Sequence, residues 1–197
     1  MRLDQLLPDQ LDADQREFYD FIRARAQAAQ DANPRGPQMV DDRGRLQGPL
    51  NALLHHPRIG RTEHEMIGRL RSQTALSPRV SEVIVLTVAA SQRSGYEWAA
   101  HSALARSLGI TDDQLAGFAA GERVHFDDAV EDVAMELALA LVGAGDVADE
   151  LYVRARDALG DAGMADAVTL VGFYQLLALE MRVFRIDAPP APWESGS

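Results

Sequence analysis

The segment 77–93 constrains the fold most. Ser77 can cap a helix whose first residue is Pro78, a favoured start because serine accepts a free backbone N–H and proline has none to leave unpaired. The helix then runs to about Arg93 through Val83-Ile84-Val85-Leu86. That stretch is apolar on nearly every side, so the helix belongs in the middle of a protein. Its β-branched residues also suit a strand, but its length without a turn signal favours a helix.

The rest of the chain repeats the helical theme. A surface helix is predicted over 12–30, with Phe18, Phe21 and Ile22 among charged residues. A Gly-, Pro- and Asp-rich loop over 33–49 follows, long enough to serve as a lid or an oligomer contact. A short helix over 49–55 should stop before Pro57, and an amphipathic one covers 59–73. Gly95 reads as a break, and 96–108 as a helix stopped by Gly109. Thr111 and Gln114 form a capping box opening a short helix to Ala119. Helices over 127–142, 149–159 and 164–184 follow, then a Pro-containing tail. No strand pattern with hairpin turns and no solenoid repeat is visible. The predicted class is all-α.

Composition removes whole chemistries. The net charge of −11 argues against nucleic acid, whose binding rests on clustered positive charge, and against anionic lipid. With no cysteine there is no thiol nucleophile, CxxC redox pair, disulfide or cysteine metal site. All 19 basic residues are arginine, so a lysine base or Schiff base is also out. Proton transfer must use His, Asp, Glu or Tyr. The first residues carry acids and a proline where a leader needs an apolar run. Stretches such as 83–90 fall well below the roughly 20 residues that span a bilayer. The expectation is a cytoplasmic protein without a membrane partner.

Within 96–108, Glu97 and His101 are four apart and therefore neighbours on a helix. They share a face with Leu104 and Leu108, which mark that face as inward, opposite Ala99, Ser102 and Arg106. A buried carboxylate and imidazole must be paired or lie in a polar cavity. Glu82 lies on the central helix beside Leu86, Ala89 and Ala90; spacing alone leaves open whether it meets His101 or an arginine such as Arg79 or Arg93. Glu97 and His101 could share a cation with Glu82 and His55. The paired Glu-x-x-His pattern of di-iron helices is missing, and no metal site is expected. His55 and His56 are adjacent and point apart on a helix, Glu63-His64-Glu65 reads as a solvated face, and Arg58, Arg61, Arg69 and Arg71 as scattered surface charge.

Residues 78–109, PRVSEVIVLTVAASQRSGYEWAAHSALARSLG, resemble the carboxymuconolactone decarboxylase and alkylhydroperoxidase D superfamily. The resemblance is strongest to cysteine-free members, through Tyr96-Glu97-Trp98-Ala99-Ala100-His101. GPLNALLHHP at 48–57 and VTLVGFYQLLALEMRVF at 168–184 are similar to that group's cavity-lining segment and last helix. The resemblance covers most of 48–189, which implies an extension over 1–47, a helical domain over 48–189 and a tail over 190–197. It implies a relay glutamate at Glu82 and a relay histidine at His101. It also sets Ser94 and Glu97 at the two positions that hold cysteines in the peroxidase branch, so thiol peroxidase chemistry is missing. The decarboxylase branch has a Glu–His arrangement like Glu97–His101 and works without metal or organic cofactor.

The function expected is a cofactor-independent general acid/base enzyme, a lyase, decarboxylase or isomerase, on a small carbonyl or carboxylic substrate. His101, Glu97 and Glu82 are the expected catalytic residues. Asn51, His55, Ser94, Tyr96 and Trp98 are the expected substrate contacts. The resemblance implies a homo-oligomer, a trimer or a multiple of trimers. The alternatives are a non-catalytic helical oligomer that binds a small molecule, and a thiol-independent peroxidase-like or metal-binding relative.

Overall fold

A computed structural model describes residues 2–32 and 39–194. Residues 33–38, the first part of the predicted loop, lie outside the described residues. Among the described residues there are eight α-helices and no strand; Val40 and Leu46 form an isolated bridge. The all-α expectation holds. The chain divides into two compact units, Met1–Gly68 with Glu180–Asp187, and Arg69–Leu179 with Ala188–Ser197.

The first unit contains α1 (Ala13–Ala32), α2 (Pro49–Leu54) and the beginning of α3 (Pro57–Ser72). Its core gathers Phe18, Tyr19 and Ile22 of α1 with Leu46, Leu50, Leu53 and Leu54. Phe18 and Ile22 thus turn the amphipathic face of α1 inward, at the four-residue spacing a helix requires. Tyr19 keeps its hydroxyl satisfied by donating to the Gly44 carbonyl at 2.8 Å. After Met39 the loop is a tight turn organised by Asp41, whose carboxylate accepts from the Arg43 and Arg45 backbone and from the Arg45 guanidinium. Between α2 and α3 the backbones nearly touch: a Cβ added at Gly60 would lie 2.5 Å from the Leu53 carbonyl oxygen. Glycine alone permits that approach.

The second unit is built around α4 (Pro78–Ser91). Ser77 caps it by accepting from Val80 N–H, with Pro78 in the first turn. Val80 and the whole of 82–89 are buried, as the apolar pattern requires. Helices α5 (Gly95–Ser107), α6 (Asp112–Ala120) and α7 (Ala129–Ala144) pack against α4. The predicted capping box of α6 is present at Thr111 and Gln114. The break before α5 is placed differently from the expectation. The left-handed residue is Arg93 (φ 50°), and Gly95 is already the first residue of α5. The small size of Gly95 has another use: a Cβ there would sit 3.3 Å from both Ala188 and Pro189 of the tail.

The last two predicted helices run together as α8 (Asp149–Phe184), broken at Gly160 (φ 72°, ψ 169°). An 18-residue window of α8 has mean hydropathy 1.4 and is long and apolar enough to cross a bilayer. This corrects the expectation that no stretch comes near that length. Alanines, Gly172, Thr169 and Gln175 dilute the run, and Asp166 and Glu180 bound its uncharged part, so it was not visible as a block of large apolar residues. Half of that window is buried inside the protein, as suits a core helix.

Candidate functional site

The second unit brings three of the titratable side chains into one buried chain of hydrogen bonds. The short turn through Arg93 sends α5 back along α4, so a residue early in α4 meets one in the second half of α5. Glu82 Oε2 lies 2.8 Å from His101 Nδ1. On the other side of the ring, the Tyr174 hydroxyl of α8 lies 3.1 Å from Nε2. Glu82, His101 and Tyr174 are each at most 6% exposed. One arrangement of protons satisfies all three: His101 Nδ1–H donates to the Glu82 carboxylate, and Tyr174 O–H donates to Nε2. This is the geometry in which a carboxylate fixes the tautomer and orientation of a histidine and stabilises its protonated form.

Tyr174 holds its proton firmly. Burial pushes its pKa up to about 12, and the charges of Glu82 and Glu97 push the same way while the nearby Arg71 guanidinium opposes them. Tyr174 therefore feels both carboxyls. Its own position is fixed within α8 by edge contacts to His101 and Phe173.

Glu97 occupies the first turn of α5 and is 3% exposed. The expected Glu97–His101 contact is not the one formed, since both ring nitrogens of His101 are engaged elsewhere. Among the described residues neither Glu97 carboxyl oxygen has a hydrogen-bond partner, and neither does the buried Ser94 hydroxyl. Burial raises the Glu97 pKa to about 8, and the side chain of Ser94, placed to interact with the carboxyl but short of a well-formed hydrogen bond, opposes the rise. Near neutrality Glu97 is therefore mostly a neutral acid, able to donate a hydrogen bond.

The inward face of α5 also differs from the expected one. Glu97, Trp98, His101, Ser102 and Ala105 are buried, while Leu104 is 42% exposed. The buried set follows the i, i+1, i+4, i+5, i+8 pattern of a helix enclosed by several neighbours, rotated by about one residue from the expected face. Arg79 does not hold Glu82; it bridges to Glu131 at 2.6 Å.

Of the expected substrate contacts, Ser94 is the cap residue of α5, without a side-chain capping bond. Tyr96 is half-buried, and burial raises its pKa. Trp98 packs into the apolar core edge-on to Trp193, ring centres 5.3 Å apart. Asn51 and His55 belong to the first unit, where they hold the N-terminal segment. Asn51 accepts from Leu6 N–H and donates to the Asp4 carbonyl, and His55 Nε2 lies 2.9 Å from that same carbonyl.

Sequence reasoning missed Tyr174 and read Arg71, which acts on the Tyr174 hydroxyl, as scattered surface charge. Tyr174 lies 73 residues from His101, and a tyrosine in an apolar helix gives no signal of its own except that its hydroxyl needs a partner once buried. It also misread Glu63-His64-Glu65. Glu63 is half-buried, facing His56 and Glu180, and His64 stacks edge-on against Phe21. Arg58 and Arg61 are engaged with Asp14 at 2.9 Å and Glu17 at 3.1 Å.

Residues 58–140 match the carboxymuconolactone decarboxylase family. Two solved structures have the same fold over nearly their whole length. An uncharacterized peroxidase-related protein from Silicibacter sp. TM1040 superposes with a TM-score of 0.71 at 18% identity, covering 100% of this chain and 94% of that one. An uncharacterized peroxidase-related protein from Ralstonia eutropha JMP134, described as an alkylhydroperoxidase AhpD core, gives 0.72 at 16% identity, covering 95% and 92%. No curated protein matches the chain.

Proposed function

We propose that this chain, whose residues 58–140 match the carboxymuconolactone decarboxylase family and which has no cysteine, is a member of the carboxymuconolactone decarboxylase and alkylhydroperoxidase D-like superfamily and a general acid/base enzyme acting on a small carbonyl or carboxylic substrate. The reaction is a lyase, decarboxylase or isomerase step. The observation that carries this reading is the buried chain Glu82–His101–Tyr174 with a second buried carboxyl at Glu97, which has no well-formed hydrogen bond.

The roles follow from the donors and acceptors. His101, its Nδ1 held by Glu82, takes up the proton that leaves the substrate; Glu82 stabilises the resulting imidazolium. Because the Tyr174 hydroxyl donates to Nε2, the transfer runs through it: Tyr174 gives its proton to Nε2 as it takes the substrate's, and ends the step protonated. Glu97 is the acid that donates to the oxygen on which negative charge builds, a task for which a neutral carboxyl in a dry site is suited. A dithiol peroxidase cycle has no thiol to run on in this sequence.

The working form is proposed to be a cytoplasmic homo-oligomer, a trimer or a multiple of trimers. Support comes from large apolar side chains left 40–48% exposed on α8 at Val168, Leu176 and Leu179, apolar surface of the kind that a second copy can cover.

The test is turnover of a panel of small lactone acids, β-keto acids and enolisable ketones. His101→Ala should lower kcat at least about 100-fold with helicity kept. Tyr174→Phe should move the pH profile of kcat. A fully active His101→Ala enzyme defeats the reading.

A further inference from the structure

The first unit contains a second group of titratable side chains that the proposed reaction does not use. His56 lies in the junction between α2 and α3, Glu63 two turns further along α3, and Glu180 near the end of α8. One ring nitrogen and one oxygen from each carboxylate all lie within 4.8 Å of one another. All three residues are half-buried.

Two details separate this group from a chance meeting of surface acids. Glu63 Oε2 and Glu180 Oε2 are both shut off from solvent, and neither has a hydrogen-bond partner among the described residues. A buried oxygen without a donor is rare in proteins and calls for a proton, a water or an ion. The two carboxylates also oppose each other: the charge of Glu63 adds to burial in raising the Glu180 pKa to about 7, and burial raises that of Glu63. Only His56 acts on Glu63 in the other direction.

We propose that His56, Glu63 and Glu180 bind one divalent transition-metal ion of the zinc type. One imidazole and two carboxylates form a mixed nitrogen and oxygen donor set that suits zinc, manganese or ferrous iron. Three protein ligands leave a further coordination position for water. Bonds of about 2.1 Å in a tetrahedral site set ligand atoms roughly 3.4 Å apart. The widest pair must therefore close by at most about 1.4 Å, which the flexible glutamate side chains can supply. The ion would neutralise two opposed carboxylates and tie the Glu180–Asp187 segment to α3 within the unit, beside the backbone bond from Arg2 N–H to the Phe184 carbonyl at 2.7 Å.

The experiment titrates the full-length, chelator-treated protein with zinc chloride by calorimetry, and with cobalt(II) by visible absorption. One zinc ion per chain is expected. Cobalt should give the intense d–d bands of a four- or five-coordinate site. His56→Ala, Glu63→Gln and Glu180→Gln should each weaken binding at least about tenfold, with circular dichroism confirming the fold. His125→Ala, which alters the exposed His125–Asp132 pair, and His101→Ala should bind as the parent does. No saturable binding overturns the proposal, and so does equal affinity in Glu180→Gln and His56→Ala. Should those variants unfold, a weak octahedral cobalt spectrum in the parent protein overturns it alone. None of these outcomes depends on turnover, so the acid/base reading stands or falls separately.

Discussion

Two histidines in this molecule sit among carboxyls and are treated oppositely. His101 is nine-tenths buried, and both of its nitrogens are matched, one to Glu82 and one to Tyr174. His56 is half-buried and faces two carboxylates whose inner oxygens have no donor. In the first cluster, hydrogen bonds compensate burial, and only Glu97 is left over. In the second, compensation is missing from the protein itself. A closed network of that kind holds a proton at a chosen atom, whereas an open one invites something from outside.

The largest effect expected from breaking the closed network comes from His101→Ala. It strands the Glu82 carboxylate in the interior, and the loss of stability should be about 3 kcal/mol in urea denaturation. Glu180→Gln in the open cluster is the counterpart and should behave differently. It removes one of two repelling carboxyls at a half-buried site, whose pKa is raised to about 7, so near pH 8 the variant should be more stable than the parent, by on the order of 1 kcal/mol. If the two substitutions cost the same, the contrast between the clusters is wrong.

Between these lies Glu97. Its pKa is raised to about 8 in the folded chain, against an ordinary unfolded glutamate near 4.3. Between those values the folded protein keeps a proton that the unfolded chain has released. Folding stability therefore falls as pH rises across that window, and levels off above pH 8. The total change should be on the order of a few kcal/mol. Glu97→Gln should flatten the slope, as read from thermal melts at pH 5, 7 and 9. A parent protein whose stability is level from pH 5 to 8 would show that Glu97 is paired.

Much of the fold was legible because its helices are punctuated by local chemistry. Ser77-Pro78 and the Thr111–Gln114 box set helix starts that depend only on neighbouring residues. The pairing of Glu82 with His101 was half legible. The resemblance implied both residues, but their contact depends on how α4 and α5 pack. The face of α5 was misjudged because Leu104 looked like an anchor. A helix surrounded by neighbours buries small residues such as Ser102 and Ala105 at its closest contacts and leaves a leucine outside. Tyr174 and Glu180 were invisible as partners, because residues 73 and 117 positions away from theirs meet only through the tertiary fold.

The contact of Trp98 with Trp193 has a practical consequence. These are the only two tryptophans in the chain, and they lie edge to face where the final turn, Pro192–Glu194, folds back on α5. Indole emission from this protein thus reports one clasp. A shift in it signals release of the carboxy-terminal strap, and an unfolding curve followed by fluorescence will track that latch before it tracks the helical body.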